Sequence, residues 1–337
     1  MLERISAFIA SVGVVAAAPA FAHHSLAIYS NETTVVEGEI VDILWANPHV
    51  RITLRAGLPG IGETWRLESG SLMTLQRAGI TPDVLRKGDR VKAAVRVSKR
   101  DPLLAGALTV LLPDGRELQL LTGAPAYFTN DASLVRAANT VSGDPARENR
   151  GFFRVWSVPY PNPVGGEALR RLAFKPAAVE ARSKFDLYDN FATRCEPEGL
   201  PRIMFNPHPF EFIDRGAAIT LRTELYDTER TIHMDRTAPP PGEPPSRLGY
   251  SVGKWEQGTL VIATSLVSWP YFDNIGTPQS GDVRIVERYT LAEEQSRLDF
   301  EVTVTDSVTF AEPAVVKGHW LALGETVPRY DCRPAAR

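Results

Sequence analysis

Gly249-Tyr250-Ser251-Val252-Gly253-Lys254-Trp255-Glu256-Gln257-Gly258-Thr259-Leu260-Val261-Ile262-Ala263-Thr264 is the stretch that decides the fold class. Two runs rich in β-branched and aromatic residues flank the turn pair Gln257-Gly258, and the whole reads as the clearest hairpin in the chain. The pattern repeats on both sides. Downstream, 282–290, 297–306 and 314–320 read as three more strands. Upstream, 210–214 and 218–224 are joined across Arg215-Gly216, 228–234 follows, and the proline-rich 238–245 reads as an extended loop. A helix is expected around 177–182, with Pro176 in its first turn. The aromatic run 151–158 reads as a further strand. Regular hairpin spacing without alternating helices predicts a lipocalin-like antiparallel barrel over residues 151–337.

Residues 23–120 carry a different pattern. The β-rich run 33–45 contains Gly38, which allows a bend, and Asn47-Pro48 ends it. Segment 49–55 then alternates with period two. Val50, Ile52 and Leu54 face a core, while His49 shares the other face with Arg51, Thr53 and Arg55. A strand at 63–68 precedes a short helix that Ser71 can cap and Gly79 can end. Segment 86–97 leads into another strand, and Asp114-Gly115 marks a closing hairpin between 108–112 and 117–120. Five or six short strands with one helix between the third and fourth predict a small OB-like barrel. The chain is thus expected to be mainly β, with a small and polar linker at 121–150.

The 337 residues suffice for two domains, and 44% hydrophobic with 23% charged residues is ordinary globular composition. A net charge of -3, without Lys or Arg runs, offers nucleic acid or an anionic membrane no basic surface. At the N-terminus, Arg4 precedes the mostly apolar run 5–18, Pro19 breaks it, and Ala20-Phe21-Ala22 places small residues where a signal peptidase acts. Residues 1–22 therefore read as a signal peptide, too short and Ala-rich for a stable membrane anchor. A periplasmic or secreted location follows. In that oxidising setting Cys195 and Cys332, the two cysteines of the chain, are expected to form a disulfide. The chain-entropy model gives so long a loop roughly 4 to 5 kcal/mol, as an upper figure.

His23-His24-Ser25, Gly38-Glu39-Ile40, Trp45-Ala46-Asn47-Pro48-His49 and Lys87-Gly88-Asp89-Arg90-Val91 resemble a family of exported bacterial proteins known only as a domain of unknown function. That resemblance spans roughly residues 23 to 120. The second half resembles another uncharacterised exported group, through 195–202, 232–235, 249–256 and Val286-Glu287-Arg288. The group carries His where Tyr250 stands here, and a Gly-Arg-x-His-Pro run where 236–240 stands. Neither resemblance implies an activity.

Three functional readings follow from the residues. The first is a binding protein that takes a small, partly apolar molecule into the larger barrel, lined by Tyr250, Trp255, Trp269, Phe300 and Trp320. The second is a cofactor-independent isomerase, lyase or hydrolase. There His233 and Asp235, on one strand face, would form a His–acid pair. The third is a copper or zinc site. Signal cleavage would leave His23 with a free amine beside its ring, and His24 or His49 would complete a nitrogen-rich set. No other cofactor is indicated. His208, between Pro207 and Pro209, reads as a turn residue. Glu224, Glu229, Asp235, Glu256, Glu287 and Asp306 are scattered over strands without a spacing that pairs them. Oligomeric state has no signature in the sequence.

Overall fold

The computed structural model describes residues 28–57, 62–131, 135–136, 151–159, 169 and 171–334. The expected signal peptide, with His23 and His24, and most of the expected linker lie outside the described residues. Strands and bridges account for 41% of the described residues and helix for 11%.

The small barrel is built from β1 (Thr34–Leu44), β2 (Arg51–Ala56), β3 (Glu63–Glu68), β4 (Arg90–Val97) and β5 (Leu104–Leu111), with α1 (Leu72–Arg77) between β3 and β4. Antiparallel pairs join β1 to β2, β2 to β3, β1 to β4 and β4 to β5, and a parallel β3–β5 pair closes the ring. Five strands in this order with the helix in this place are the expected OB-like arrangement. Alternation drives it: Ile52, Leu54, Leu67, Val91, Ala93 and Val95 are inside, with polar residues outward. Ser71 caps α1 by accepting the Thr74 amide at 3.3 Å. Gly38 has the backbone of Arg55 where a Cβ would sit, so only glycine permits this crossing.

Two expectations change here. β2 begins at Arg51, so His49 precedes the strand rather than sharing its face. Its approach is set by other bonds: His49 Nδ1 donates to the Ser69 carbonyl at 2.8 Å. Residues 121–131 also pack onto the small barrel. The buried carboxylate of Glu117, in β6 (Glu117–Gln119), accepts the amides of Tyr127, Phe128 and Thr129. β7 (Val135–Arg136) then adds to the same sheet beside β6.

The larger barrel comprises β8 (Val155–Trp156), β9 (Phe210–Asp214), β10 (Ala218–Thr223), β11 (Thr228–His233), β12 (Tyr250–Glu256), β13 (Thr259–Ser265), β14 (Arg284–Leu291), β15 (Arg297–Thr305) and β16 (Ala314–Leu321). They are neighbours in sequence order. Ser157, just past β8, exchanges two backbone hydrogen bonds with Leu321 at 2.9 and 2.8 Å, which nearly closes the ring. The hairpin at Gln257-Gly258 pairs Tyr250 with Ser265 through to Glu256 with Thr259, as its sequence predicts.

Two details depart from the sequence reading. The aromatic run 151–158 contributes only the two residues of β8. The ring is not antiparallel throughout, because β11 and β12 run parallel. Parallel neighbours need a crossover connection, and the long proline-containing loop 234–249 supplies it. The helix expected around 177–182 is present as α2 (Pro176–Ser183), and with several single 3₁₀ turns it forms a cap among the described residues between β8 and β9.

The core of the larger barrel is dense with aromatic rings. Phe300 and Trp320 stack with centroids 4.0 Å apart, and Trp320 also meets Phe210 and Tyr289.

Candidate functional site

Two clusters of buried charge occupy the larger barrel, and they differ in how completely they are bonded. In the middle, Arg230 of β11 forks onto Glu287 of β14 at 3.1 and 2.5 Å. It also donates to Ser251 and Thr264, at 2.9 and 2.7 Å, while the Tyr289 hydroxyl donates to Glu287 at 2.6 Å. Burial works against the Arg230 charge, but the adjacent Glu287 outweighs it and raises the guanidinium above its ordinary range. Burial, then Glu287, pushes the Tyr289 phenol well up. Each partner is satisfied, so this network has the character of a structural pair.

The second cluster lies at the end of the barrel where β9 begins and β10 and β16 finish. The segment before β9 supplies Glu198, Arg202 and His208, and the β10–β11 turn supplies Glu224 and Tyr226. Tyr330 arrives from the C-terminal tail. Glu198 and Glu224 are each 1% exposed, His208 6% and Arg202 7%. Arg202 Nε approaches Glu198 Oε2 to 3.3 Å, and His208 Nδ1 approaches Glu224 Oε2 to 3.4 Å. Neither pair is aligned as a hydrogen bond, and all four atoms are buried without a hydrogen-bond partner. Burial raises the Glu198 carboxyl above its usual range, against the lowering pull of Arg202 and His208. The Tyr226 and Tyr330 phenols are likewise raised, by burial first. Glu198 adds to the rise in Tyr226; in Tyr330 the further contributors are Tyr226, Glu198 and Glu224.

Local geometry explains how these groups converge. The Asn206 side chain accepts the His208 amide at 2.8 Å, a turn closed by the flanking prolines. Gly199 lies so close to the Trp269 side chain and the Arg247 carbonyl that a Cβ would meet both at 2.4 Å. In the β10–β11 turn, Tyr226 and Asp227 hold φ of 57° and 47°, a left-handed pair of non-glycine residues. Such a conformation costs roughly 1–2 kcal/mol per residue and concentrates at functional turns. The Tyr330 ring meets His208 edge-on at 5.5 Å and Tyr226 at 4.9 Å.

Beside His208 runs a narrow crevice between Ile203, Met204, Phe210 and Trp320 on its apolar side and Asn206 and Thr223 on its polar side. It is too narrow to hold a water molecule. The C-terminal tail covers this end. The Cys195–Cys332 disulfide fastens it. Asp227 accepts the Tyr330 amide at 3.1 Å, and Glu325 takes hydrogen bonds from Ser157 and from Arg77 of the small barrel.

The residues singled out from sequence are placed as follows. Phe300 and Trp320 lie together in the barrel core, and Trp320 borders the crevice. Trp269 is buried against Phe191 and Tyr271 in the cap. Trp255 is 44% exposed on the outer surface beside Phe152 and Phe153. Tyr250 stacks on His233 at 4.5 Å, and Asp235 is exposed with Arg236 at 4.0 Å. His233 and Asp235 thus sit away from the buried end, and the five aromatic residues do not converge on one cavity. The buried His–acid contact is His208 with Glu224. Sequence signals for it existed in Asn206-Pro207-His208-Pro209 and in the 195–202 motif, but nothing local linked them to Glu224 or Tyr330. Among the described residues no three His, Cys, Asp or Glu side chains gather as a metal set, and none of the helices is long and apolar enough to cross a membrane.

No curated protein matches the chain. The small barrel does have a relative: residues 12–105 match a family model described as "Family of unknown function (DUF6152)".

Proposed function

We propose that this is an exported protein that binds a small, partly apolar molecule at the tail-covered end of its larger barrel. The observation that carries the reading is the pair of misaligned contacts, Arg202–Glu198 and His208–Glu224, whose buried atoms lack hydrogen bonds, with His208 also lining a mixed polar and apolar crevice. Buried polar atoms are nearly always bonded, and an exception calls for an explanation such as a functional role. The apolar wall of Met204, Phe210 and Trp320 suits a hydrocarbon or aromatic body. The crevice is too narrow for a water molecule, so binding is coupled to movement of its lining, His208 included. Export is supported by a disulfide that spans 137 residues, a bond that persists in oxidising compartments.

The test is calorimetric titration of the oxidised protein with benzylamine, benzyl alcohol and benzoate, three probes sharing one ring. One-to-one binding of at least one probe is expected, weakened at least about fivefold by His208→Gln and unchanged by His319→Gln on β16. Absence of binding by all three, or equal effects of the two substitutions, overturns the reading.

A second reading, acid–base turnover of the bound molecule, rests on the same His208–Glu224 contact beside a carboxyl, Glu198, held toward its protonated form. It requires that a bound molecule be recovered chemically altered, and that Glu224→Gln stop the alteration without abolishing binding.

A further inference from the structure

We infer that the C-terminal tail is a clasp through which the small barrel controls the cover over His208: Tyr330 leaves the His208 ring only when the tail also lets go of Asn47 and Arg51. The clasp holds whatever binds at this end, so it stands apart from the binding reading.

Successive residues of the tail are held by opposite barrels. Tyr330 is buried, with its ring against His208 and Tyr226 and its amide donated to Asp227, all of the larger barrel. Its neighbour Asp331 offers its carbonyl to the Asn47 amide of the small barrel at 2.8 Å. Cys332 returns to the larger barrel through the disulfide to Cys195. Arg333 goes back to the small barrel. Its amide donates to the Asn47 carbonyl at 2.8 Å, and its carbonyl and that of Pro334 accept from Arg51 Nη2 at 3.4 and 3.0 Å. An extended chain presents successive residues to opposite sides, which lets one short stretch stitch two bodies together. Farther up the tail Glu325 does the same, taking hydrogen bonds from Arg77 of α1 and from Ser157 beside β8.

The stitch leaves no slack. Tyr330 and Asp331 are adjacent, with Cα atoms a fixed ~3.8 Å apart, so the Tyr330 backbone cannot withdraw while the Asp331 carbonyl stays on Asn47. Asn47 is itself held firmly: it is buried, and its side chain accepts the Leu72 amide at the start of α1 at 3.1 Å. A shift of the small barrel is therefore passed on to Tyr330 rather than absorbed in the loop between β1 and β2. The disulfide stays closed throughout. Tyr330 is two residues from Cys332, a reach of about 7 Å, enough to take its ring off His208 without unfastening the tail.

The experiment compares the oxidised full chain with Arg51→Met, Tyr330→Ala and, as a control, Arg66→Met, which removes a small-barrel arginine paired with Asp101. Carbethoxylation of His208 by diethyl pyrocarbonate and amide hydrogen exchange at Asn47, Tyr330 and Arg333 are read residue by residue. Arg51→Met is expected to speed both His208 modification and exchange of the Tyr330 amide at least about fivefold, although Arg51 bonds to neither. Coupling between sites is reciprocal, so Tyr330→Ala is expected to speed exchange of the Asn47 amide by at least about the same factor. Arg66→Met is expected to leave every rate at the wild-type value. An unchanged circular dichroism spectrum shows that a variant folds, and reading the coupling from both ends means that either variant alone decides the matter. If Arg51→Met speeds the Arg333 amide alone or nothing at all, if Tyr330→Ala leaves the Asn47 amide unchanged, or if Arg66→Met matches Arg51→Met, the clasp is overturned.

Discussion

Asn47 and Cys332 pair as residues of neighbouring parallel strands do. The Asn47 amide donates to the Asp331 carbonyl at 2.8 Å, and the Asn47 carbonyl accepts the Arg333 amide at 2.8 Å. The loop between β1 and β2 of the small barrel is thereby fastened to the tail that plugs the larger one. The small barrel also grips the cap: Arg100 reaches Asp186 at 2.9 Å, and the Tyr188 hydroxyl donates to the Ile28 carbonyl at 3.0 Å.

The disulfide is the anchor of this strap. Replacing Cys195 and Cys332 together by serine is expected to lower unfolding free energy by roughly 2–4 kcal/mol, with roughly 4–5 as the chain-entropy ceiling for so long a loop. Urea unfolding under oxidising conditions measures the change. A difference within experimental error would show that the tail contributes nothing once untied.

Arg230 and Glu287 make the opposite prediction from an exposed pair such as Lys254–Glu256. Glu287→Gln leaves a buried guanidinium short of its counter-charge and is expected to cost about 3–5 kcal/mol. Replacing both partners, as Arg230→Met with Glu287→Leu, is expected to recover much of that loss. Glu256→Gln at the surface is expected to change stability by less than about 1 kcal/mol. Denaturant midpoints of the four proteins check all three.

Glu198 gives a pH signature. Its carboxyl is raised in the folded chain, so the protonated form is the one that folding favours. Its contribution is fully present below the ordinary carboxylate range and is lost as pH rises through the raised folded value. Glu198→Gln, which stays neutral, is therefore expected to gain stability relative to wild type as pH climbs through that window. Thermal midpoints across the acidic range, taken as the mutant-minus-wild-type difference, test this. A flat difference contradicts it.

Trp320 and Trp255 separate core from surface. Trp320→Ala opens a cavity against Phe300, Phe210 and Tyr289 and is expected to cost about 3–5 kcal/mol. Trp255→Ala removes a 44% exposed ring and is expected to cost less than half as much. Comparable losses at the two positions would contradict the burial pattern.

Much of the architecture was legible because strand signals are local. Period-two alternation in 51–56, 228–233 and 297–305 marks inside and outside within each run, and Gln257-Gly258 marks its own hairpin. The parallel β11–β12 pair was not legible, because neighbour direction depends on where loop 234–249 carries the chain. His49 was misplaced for a similar reason: the bonds from Asn47 to the tail and from His49 to Ser69 delay the start of β2.

By itself, the sequence determined two mainly β units, their strand boundaries to within a few residues, and the pairing of Cys195 with Cys332. Each of these follows from short-range alternation, turn chemistry, or the presence of only two thiols. Tertiary structure alone decided which polar residues become buried together. Glu198, His208, Glu224 and Tyr330 come from three separate parts of the chain. They meet because a proline-flanked turn, a left-handed Tyr226-Asp227 turn and a tail tied to the small barrel converge on one barrel end. His233 and Asp235, close in sequence, lie apart from that end because strand alternation turns His233 outward while Arg230 and Ile232 face the core.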